Sequence, residues 1–383
     1  MARVMVSCGE PSGDLYAGAL ARALREIDPA TAVSGLGGER LAAEGARLVG
    51  DYRGIAVTGL VEVVRLLPRT YALYRRLLRA ARGARPDVFV AIDFPDFNFR
   101  LAAAMRRLGI PVVYYIGPQL WAWRPGRLRT MKRLASRVLV IFPFEVPIYE
   151  KAGVPVEFVG HPLVELTPRL GPQAELQSSL GLAAGAPTVA LLPGSRPNEV
   201  RLILPVLVDA ARRLAAARPA LQFVLARAPG LDDGLFEPAM RARAGGLRLT
   251  AVEARTDAAL AASDVVVTAS GTATVQTAIH GKPMVIVYRL SPVTYALGIR
   301  FVKVDTYGMV NLVAGRRIVP ELIQDACTPD AVAAETERLL NDEAARAAAV
   351  AGLEEVRARL GGPGASRRAA EAVLRVARGA AGA

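Results

Sequence analysis

Cysteine and histidine are almost missing from this 383-residue chain, with two of each. Cys8 and Cys327 cannot build a disulfide framework, and two histidines without ligand spacing leave no expected protein-held metal site. No uncharged apolar run reaches the about 18 residues that suggest a membrane span. The opening Met1-Ala2-Arg3-Val4-Met5-Val6 leads at once into an expected strand, without the apolar core or cleavage site of a signal peptide, so a cytoplasmic protein is expected. Zinc-finger, helix-turn-helix and aromatic RNA-binding signatures are lacking too, which ranks nucleic acid last among partners for a formal charge of +13. An anionic membrane or a phosphorylated substrate fits that charge better.

What is present is a chain that is 52% hydrophobic and long enough for two domains with their own cores. Short apolar runs alternate with amphipathic helical ones. Arg3–Ser7, Val88–Ile92, Pro111–Ile116 and Arg137–Phe142 read as strands, separated by helices over Leu15–Glu26, Phe99–Leu108 and Arg124–Leu134. The second half repeats the scheme, with strands over Thr188–Leu192, Leu221–Ala226, Asp264–Thr268 and Pro283–Tyr288. Its helices are expected over Glu199–Ala217, Asp257–Ala262 and Thr272–His280. Strands of about five apolar residues between helices are buried on both faces of a parallel sheet. The fold class is therefore α/β, two Rossmann-like doubly wound domains, with ligands at the carboxyl ends of the strands. Residues 165–187, rich in Pro, Gly, Gln and Ser, read as the connection, which sets domains of 1–165 and 166–350. The helical C-terminus, about 351–383, is expected to pack back on the first domain.

Four strand ends carry chemistry. Gly194-Ser195-Arg196 follows a strand and opens a helix near Asn198 or Glu199, where backbone N–H groups and a guanidinium suit a phosphate. A plain turn, with Arg196 paired to Glu199, fits the same residues. Ser270-Gly271-Thr272 repeats the construction, and two such turns in one domain can converge on one diphosphate. Neither is a P-loop, and no G-x-G-x-x-G follows the first strand. Cys8-Gly9-Glu10-Pro11-Ser12-Gly13-Asp14 reads as a loop that binds hydroxyls, or as a helix cap through Ser12 or Asp14. Asp93 and Asp96 stand at the end of a buried strand, where a carboxylate can take the proton of an attacking alcohol. Asp93 is nearer the strand, while Asp96 or Asn98 could cap the next helix. Trp121 and Trp123 follow another strand end, to stack on a sugar or to pack the domain. Residues 55–85 mix leucines with seven arginines, which suits a membrane interface or a helix with one face on the sheet.

The ordered motifs SCGEPSGD, AIDFPDFN, QLWAWRPGR, FPFE, VGHPL, LLPGSRPNEV, ASGTAT and MVNLVAGR, spread from about Val4 to Pro329, resemble those of the lipid-A-disaccharide synthases. The resemblance implies a GT-B glycosyltransferase, two domains facing a cleft, inverting and independent of metal or other cofactor. It would move 2,3-diacylglucosamine from a UDP donor to 2,3-diacylglucosamine 1-phosphate (lipid X), forming the β-1,6 lipid A disaccharide and UDP. Carried over by motif, Asp93 is the base for the acceptor hydroxyl and Arg196 the stabiliser of the leaving diphosphate. Gly194, Ser195, Glu199, Ser270, Gly271, Thr272, Gln276, Tyr288 and Asn311 fall on the donor side. Glu10, Ser12, Asp14, Asp96, Asn98 and Trp123 fall on the acceptor side. Acylated substrates favour docking of residues 55–85 on the cytoplasmic leaflet of the inner membrane. A homodimer is compatible with all of this. Two positions depart from the family: Gln276 stands where a Glu that holds ribose is usual, and Gly117-Pro118-Gln119 replaces a Ser-Pro-Ser type run. The alternatives are another UDP-sugar enzyme of this fold, an N-acetylglucosamine transferase or epimerase, or a non-catalytic nucleotide- or lipid-binding relative.

Overall fold

The computed structural model describes residues 1–53, 60–118, 126–291 and 306–381, for 60–66 and 380–381 the backbone alone. The chain forms two compact units, Met1–Glu165 with Leu360–Ala383, and Leu166–Arg359. The first runs β1 (Arg3–Ser7), α1 (Pro11–Ile27), β2 (Ala32–Gly37), α2 (Glu39–Ala43), β3 (Arg47–Asp51), α3 (Leu60–Ala84), β4 (Val88–Ile92), α4 (Pro95–Arg107), β5 (Val112–Tyr115), β6 (Arg137–Val140) and β7 (Val156–Phe158). The second runs β8 (Thr188–Leu192), α5 (Pro197–Ala217), β9 (Gln222–Arg227), β10 (Leu249–Glu253), α6 (Thr256–Ala261), β11 (Val265–Ala269), α7 (Thr272–Ile279), β12 (Met284–Tyr288), α8 (Met309–Ala314), β13 (Glu321–Ile323), α9 (Pro329–Asn341) and α10 (Glu343–Arg359). The chain then returns to the first unit as α11 (Ala365–Ala381).

Every strand pair is parallel. The first sheet has the order β3-β2-β1-β4-β5-β6-β7 and the second β10-β9-β8-β11-β12-β13. In both, the strand order reverses once, between β1 and β4 and between β8 and β11. Crevices for ligands open outside the carboxyl ends at such reversals, because the chain leaves neighbouring strands toward opposite faces.

Period-two alternation divides the first core. Met5, Leu36, Phe89, Ala91, Val112 and Tyr114 pack with Leu73, Leu77 and Ala81 of α3 and with Phe97, Leu101 and Met105 of α4. The intervening Val4, Val6, Val88, Val90 and Tyr115 are equally buried. On that side α11 packs on α1, β4 and β5. Fixed to the same unit, Glu165 accepts from the amides of Gly364 (2.6 Å) and Ser366 (2.9 Å), and the Arg368 guanidinium donates to the Val159 carbonyl at 2.8 Å. His161 is buried against Tyr16 and Phe142, and burial holds its imidazole at about 3, neutral.

Several boundaries differ from the sequence expectation for one repeated reason. Helices expected to begin at Leu15, Phe99 and Glu199 begin instead at Pro11, Pro95 and Pro197. Proline lacks the N–H that the first helical turn leaves unused, and its φ is already helical. The strands passed over are mostly sheet edges, β3, β7, β10 and β13, which are short and only part-buried. Inside the first sheet β2 escaped too, because Ala-Val-Ser-Gly-Leu-Gly is weakly apolar. Its Gly35 is obligatory: at φ +149 a Cβ would lie 1.8 Å from the Val6 carbonyl oxygen. Residues 166–187, read as the connection, pack as part of the second unit, which begins at Leu166. There Gln177 donates to Thr188 Oγ1 at 2.9 Å and to the Ala262 carbonyl at 3.2 Å. At the other end, Glu343–Arg359 also stays with the second unit, so the return begins at Leu360 rather than near 351.

Two substitutions test this packing by urea unfolding. Leu77→Ala, in the buried stripe of α3, should cost about 2–5 kcal/mol, whereas Leu67→Ala, on its exposed face, should change stability by less than about 0.5 kcal/mol. Asp14→Ala removes the carboxylate that caps α2 from a distance, taking the amides of Gly38, Arg40 and Leu41 at 2.7, 3.0 and 3.2 Å. Buried amides left unpaired should lower stability by about 2 kcal/mol or more.

Candidate functional site

All four chemistry-bearing turns fall at the two strand-order reversals. Cys8-Gly9-Glu10 follows β1 and Asp93-Phe94 follows β4; Pro193–Arg196 follows β8 and Ser270-Gly271 follows β11. What the turns do with their polar groups is less uniform.

In the first unit, Asp93 is half-buried at the end of β4. Asp93 and Phe94 both adopt left-handed backbone, φ 45° and 50°, a strained pair for residues with side chains. The Phe94 ring lies over Gly9, where a Cβ would come within 2.3 Å, and stacks on Phe97 at 5.2 Å. Asn98 is fully buried and donates to the carbonyls of Ser7 (3.1 Å), Ile92 (3.2 Å) and Asp93 (2.8 Å), while its Oδ1 accepts from Ser7 Oγ at 2.6 Å. The Asp93 carbonyl also accepts from Tyr114 Oη at 3.0 Å. Asn98 therefore stitches β1 to β4 and turns no polar atom outward. It does not cap α4, and neither does Asp96, which is exposed in the first turn and pairs with Arg127 at 2.6 Å. Asp14, buried under α2, is likewise turned inward, whereas Glu10 precedes α1 and Ser12 sits part-buried in its first turn. Burial pushes the Cys8 thiol well up, so it stays protonated. Trp121, Trp123 and Gln119 lie outside the described residues, as do residues 54–59 of the basic stretch.

In the second unit, Gly194 has φ +119, and a Cβ there would meet the Glu199 carboxylate at 2.5 Å. Glu199 Oε2 accepts from the amides of Ser195 (3.1 Å) and Arg196 (3.2 Å), and its Oε1 pairs with the Arg196 guanidinium at 3.3 Å. A carboxylate thus occupies donors that suit a phosphate, and the two alternatives for Arg196 share one place. Tyr288, at the end of β12, is within electrostatic reach: burial raises its phenol, the Glu199 charge adds to this and the Arg196 charge opposes it. The start of α7 is open by contrast. The amides of Gly271, Thr272 and Ala273 make no hydrogen bond among the described residues, and both Gly271 and Thr272 are exposed. Ser270 Oγ donates to the Tyr307 carbonyl at 3.3 Å.

Asn311, expected on the donor side, is buried with its amide saturated. It donates to the Val319 carbonyl (3.0 Å) and to Glu321 Oε1 (2.6 Å), and accepts from Ile318 and Val319. Glu321 in turn holds the amides of Tyr307 and Gly308, so the pair orders the loop beneath Ser270. Gln276, one turn into α7, donates from Nε2 to Asp257 Oδ1 at 2.7 Å, and His280 Nε2 lies 2.8 Å from the same oxygen. Asp257 carries no expectation from the sequence, because β10, the strand that precedes α6, is half-exposed and has no apolar run. Its position in the first turn of a helix after a strand is the available signal. Among the described residues no three His, Cys, Asp or Glu side chains gather to hold a metal, and no helix is long and apolar enough to cross a membrane.

Comparison with known proteins identifies the family and the fold. The model of the family described as lipid-A-disaccharide synthetase matches residues 4–376. The chain is 45% identical over 372 residues to the lipid-A-disaccharide synthase of Myxococcus xanthus (strain DK1622), covering 97% of each chain. It is 45% identical over 376 residues to the lipid-A-disaccharide synthase of Anaeromyxobacter dehalogenans (strain 2CP-1 / ATCC BAA-258), covering 98% of each. Among solved structures, it is similar to the UDP-GlcNAc 2-epimerase from Neisseria meningitidis bound to UDP-GlcNAc, with TM-score 0.69, 14% identity and coverage of 98% of this chain and 100% of that one. It is also similar to the glycotransferase of kitacinnamycin, with TM-score 0.63, 20% identity and 98% coverage of both. At such identities the structures speak for the fold alone, two Rossmann-like domains of GT-B type. The sequence comparisons go further: this chain belongs to the lipid-A-disaccharide synthase family.

Proposed function

We propose that the chain transfers 2,3-diacylglucosamine from UDP to the 6-hydroxyl of 2,3-diacylglucosamine 1-phosphate, with inversion, releasing UDP. Family membership supports the reaction, and the location of the four turns after β1, β4, β8 and β11 at the strand-order reversals supports the residue roles. Asp93 removes the acceptor proton as the alcohol attacks the anomeric carbon. Negative charge grows on the departing diphosphate while the sugar becomes cationic. Arg196 and the open amides at Gly271, Thr272 and Ala273 meet that charge, without a metal. The diphosphate competes with Glu199 for the Ser195 and Arg196 amides, so Glu199 keeps the turn formed until donor arrives. Gln276 turns its amide to Asp257, and the carboxylate beside it takes over the ribose contact that Gln276 itself cannot make with a charge. Tyr288, Gly194 and Ser270 shape this donor side. Glu10, Ser12 and Asp96 remain for the acceptor, while Asp14, Asn98 and Asn311 act by holding backbone in place.

Acylated substrates have to be drawn from a membrane, and α3 offers a face for this. Leu67 and Tyr71 are 52% and 59% exposed, and Arg75, Arg79 and Arg82 line a hollow of about 320 Å³ with Leu78. Guanidinium groups beside exposed apolar side chains suit the boundary of an anionic leaflet. We assign the protein to the cytoplasmic face of the inner membrane on this basis.

With UDP-2,3-diacylglucosamine and lipid X, the enzyme should release UDP and a disaccharide 1-phosphate identified by mass. Asp93→Ala should lower kcat by about 10²–10⁴ while UDP affinity by calorimetry stays within about twofold. Equal turnover of UDP-N-acetylglucosamine without acyl chains would refute the substrate assignment. For the membrane, Arg75, Arg79 and Arg82 changed together to Glu should abolish co-sedimentation with vesicles containing anionic phospholipid. Wild-type sedimentation of that variant would exclude α3 as the dock.

A further inference from the structure

Asp93 and Phe94 form two successive left-handed residues at the point where a carboxylate is needed, and neither is a glycine. Each carries a steric cost of about 1–2 kcal/mol relative to ordinary backbone, so the elbow persists only where its surroundings hold it. The supports differ in kind. Gly9 leaves room for the Phe94 ring, and Phe97 stacks on it. Asn98 distributes its amide over three carbonyls of β1, β4 and the elbow. Asn98 shares the Asp93 carbonyl with Tyr114, but the rest of its amide is spent on joining the two strands. Tyr114 differs, since it reaches the Asp93 carbonyl from outside both strands, its hydroxyl donating to it from β5 at 3.0 Å.

That hydroxyl has no use in the core. Tyr114 is fully buried on β5, paired with Ala91 of β4, its ring 5.6 Å from Phe99. A phenylalanine would fill the same space without burying an oxygen, and burying one is unfavourable unless it is bonded. Burial also pushes the phenol well above its ordinary range, with the Asp93 charge adding to the effect, so it remains a donor. Its neighbour Tyr115 provides the contrast: equally buried on the same strand, its hydroxyl lies among Tyr16, Glu165, Ser366 and Arg368 and makes no bond to the elbow.

We infer that Tyr114 is a positioning residue for the transfer: its hydroxyl, bonded to the Asp93 carbonyl, holds the left-handed Asp93–Phe94 elbow and thereby aims the Asp93 carboxylate. This rests on Asp93 as the base. Fixing the carbonyl fixes the peptide plane next to Asp93 Cα, and with it the direction in which the side chain leaves. A displacement of about 1 Å at a reacting group can cost about a hundredfold in rate, so losing one of the two bonds that anchor this carbonyl is enough to matter.

The test compares Tyr114→Phe, Tyr115→Phe and Asp93→Asn in the full-length enzyme with UDP-2,3-diacylglucosamine and lipid X. Tyr114→Phe should lower kcat by about tenfold or more while the KM for the donor stays within about twofold and Tm within a few degrees. Tyr115→Phe should keep wild-type kcat. Wild-type kcat in Tyr114→Phe would overturn the inference, as would a loss of kcat matched by Tyr115→Phe or accompanied by an equal rise in KM. The base reading stands or falls separately: wild-type turnover by Asp93→Asn removes it, whatever Tyr114→Phe does.

Discussion

The buried amide of Asn98 joins the first sheet at the one place where its topology would let it part. β1 and β4 are neighbours, yet their chains leave toward opposite faces, so the carbonyls at their carboxyl ends lose the regular ladder. Asn98 supplies donors to Ser7, Ile92 and Asp93 together and accepts from the Ser7 hydroxyl. Peptide groups buried there without partners would be costly, and a loop around water would be too loose for chemistry. The elbow that carries Asp93, the ring of Phe94 over Gly9 and the bond from Tyr114 all build outward from that knot.

The second sheet meets the same topological problem with charge. At its reversal, Glu199 folds back onto the turn after β8 and takes two amides and a guanidinium. A carboxylate and a phosphate oxygen ask for the same donors, so a turn that is stable with Glu199 is also shaped for an anion. The turn after β11 is built oppositely, with amides left open and the order supplied from below by Asn311 and Glu321. One turn self-satisfied and one exposed make the proposed donor site one that is formed beforehand but not sealed.

Burial also decides which groups stay out of the chemistry. Cys8 stays a thiol although it lies in a motif turn, and His161 stays neutral under Tyr16 and Phe142. That leaves the carboxylates and arginines as the charged groups of these turns, as the proposed transfer requires.

The sequence by itself determined the doubly wound class, most central strands, the four turns at the strand-order reversals and the family. Fully buried parallel strands are written as continuous apolar runs, and phosphate-suited turns as small residues between strand and helix, both local patterns. Edge strands escaped, since half-exposed strands carry no such run. Only the tertiary structure decided which polar residues of the motifs face outward. Asp14, Asn98 and Asn311 are the same residue types that bind ligands, but the amides and carbonyls they serve belong to other elements. Asp14 caps a helix 24 residues on, and Asn98 reaches a hydroxyl 91 residues back. Nor could Gln276 announce its bond to Asp257, 19 residues away, because a hydrogen bond depends on separation in space and leaves no trace in local composition.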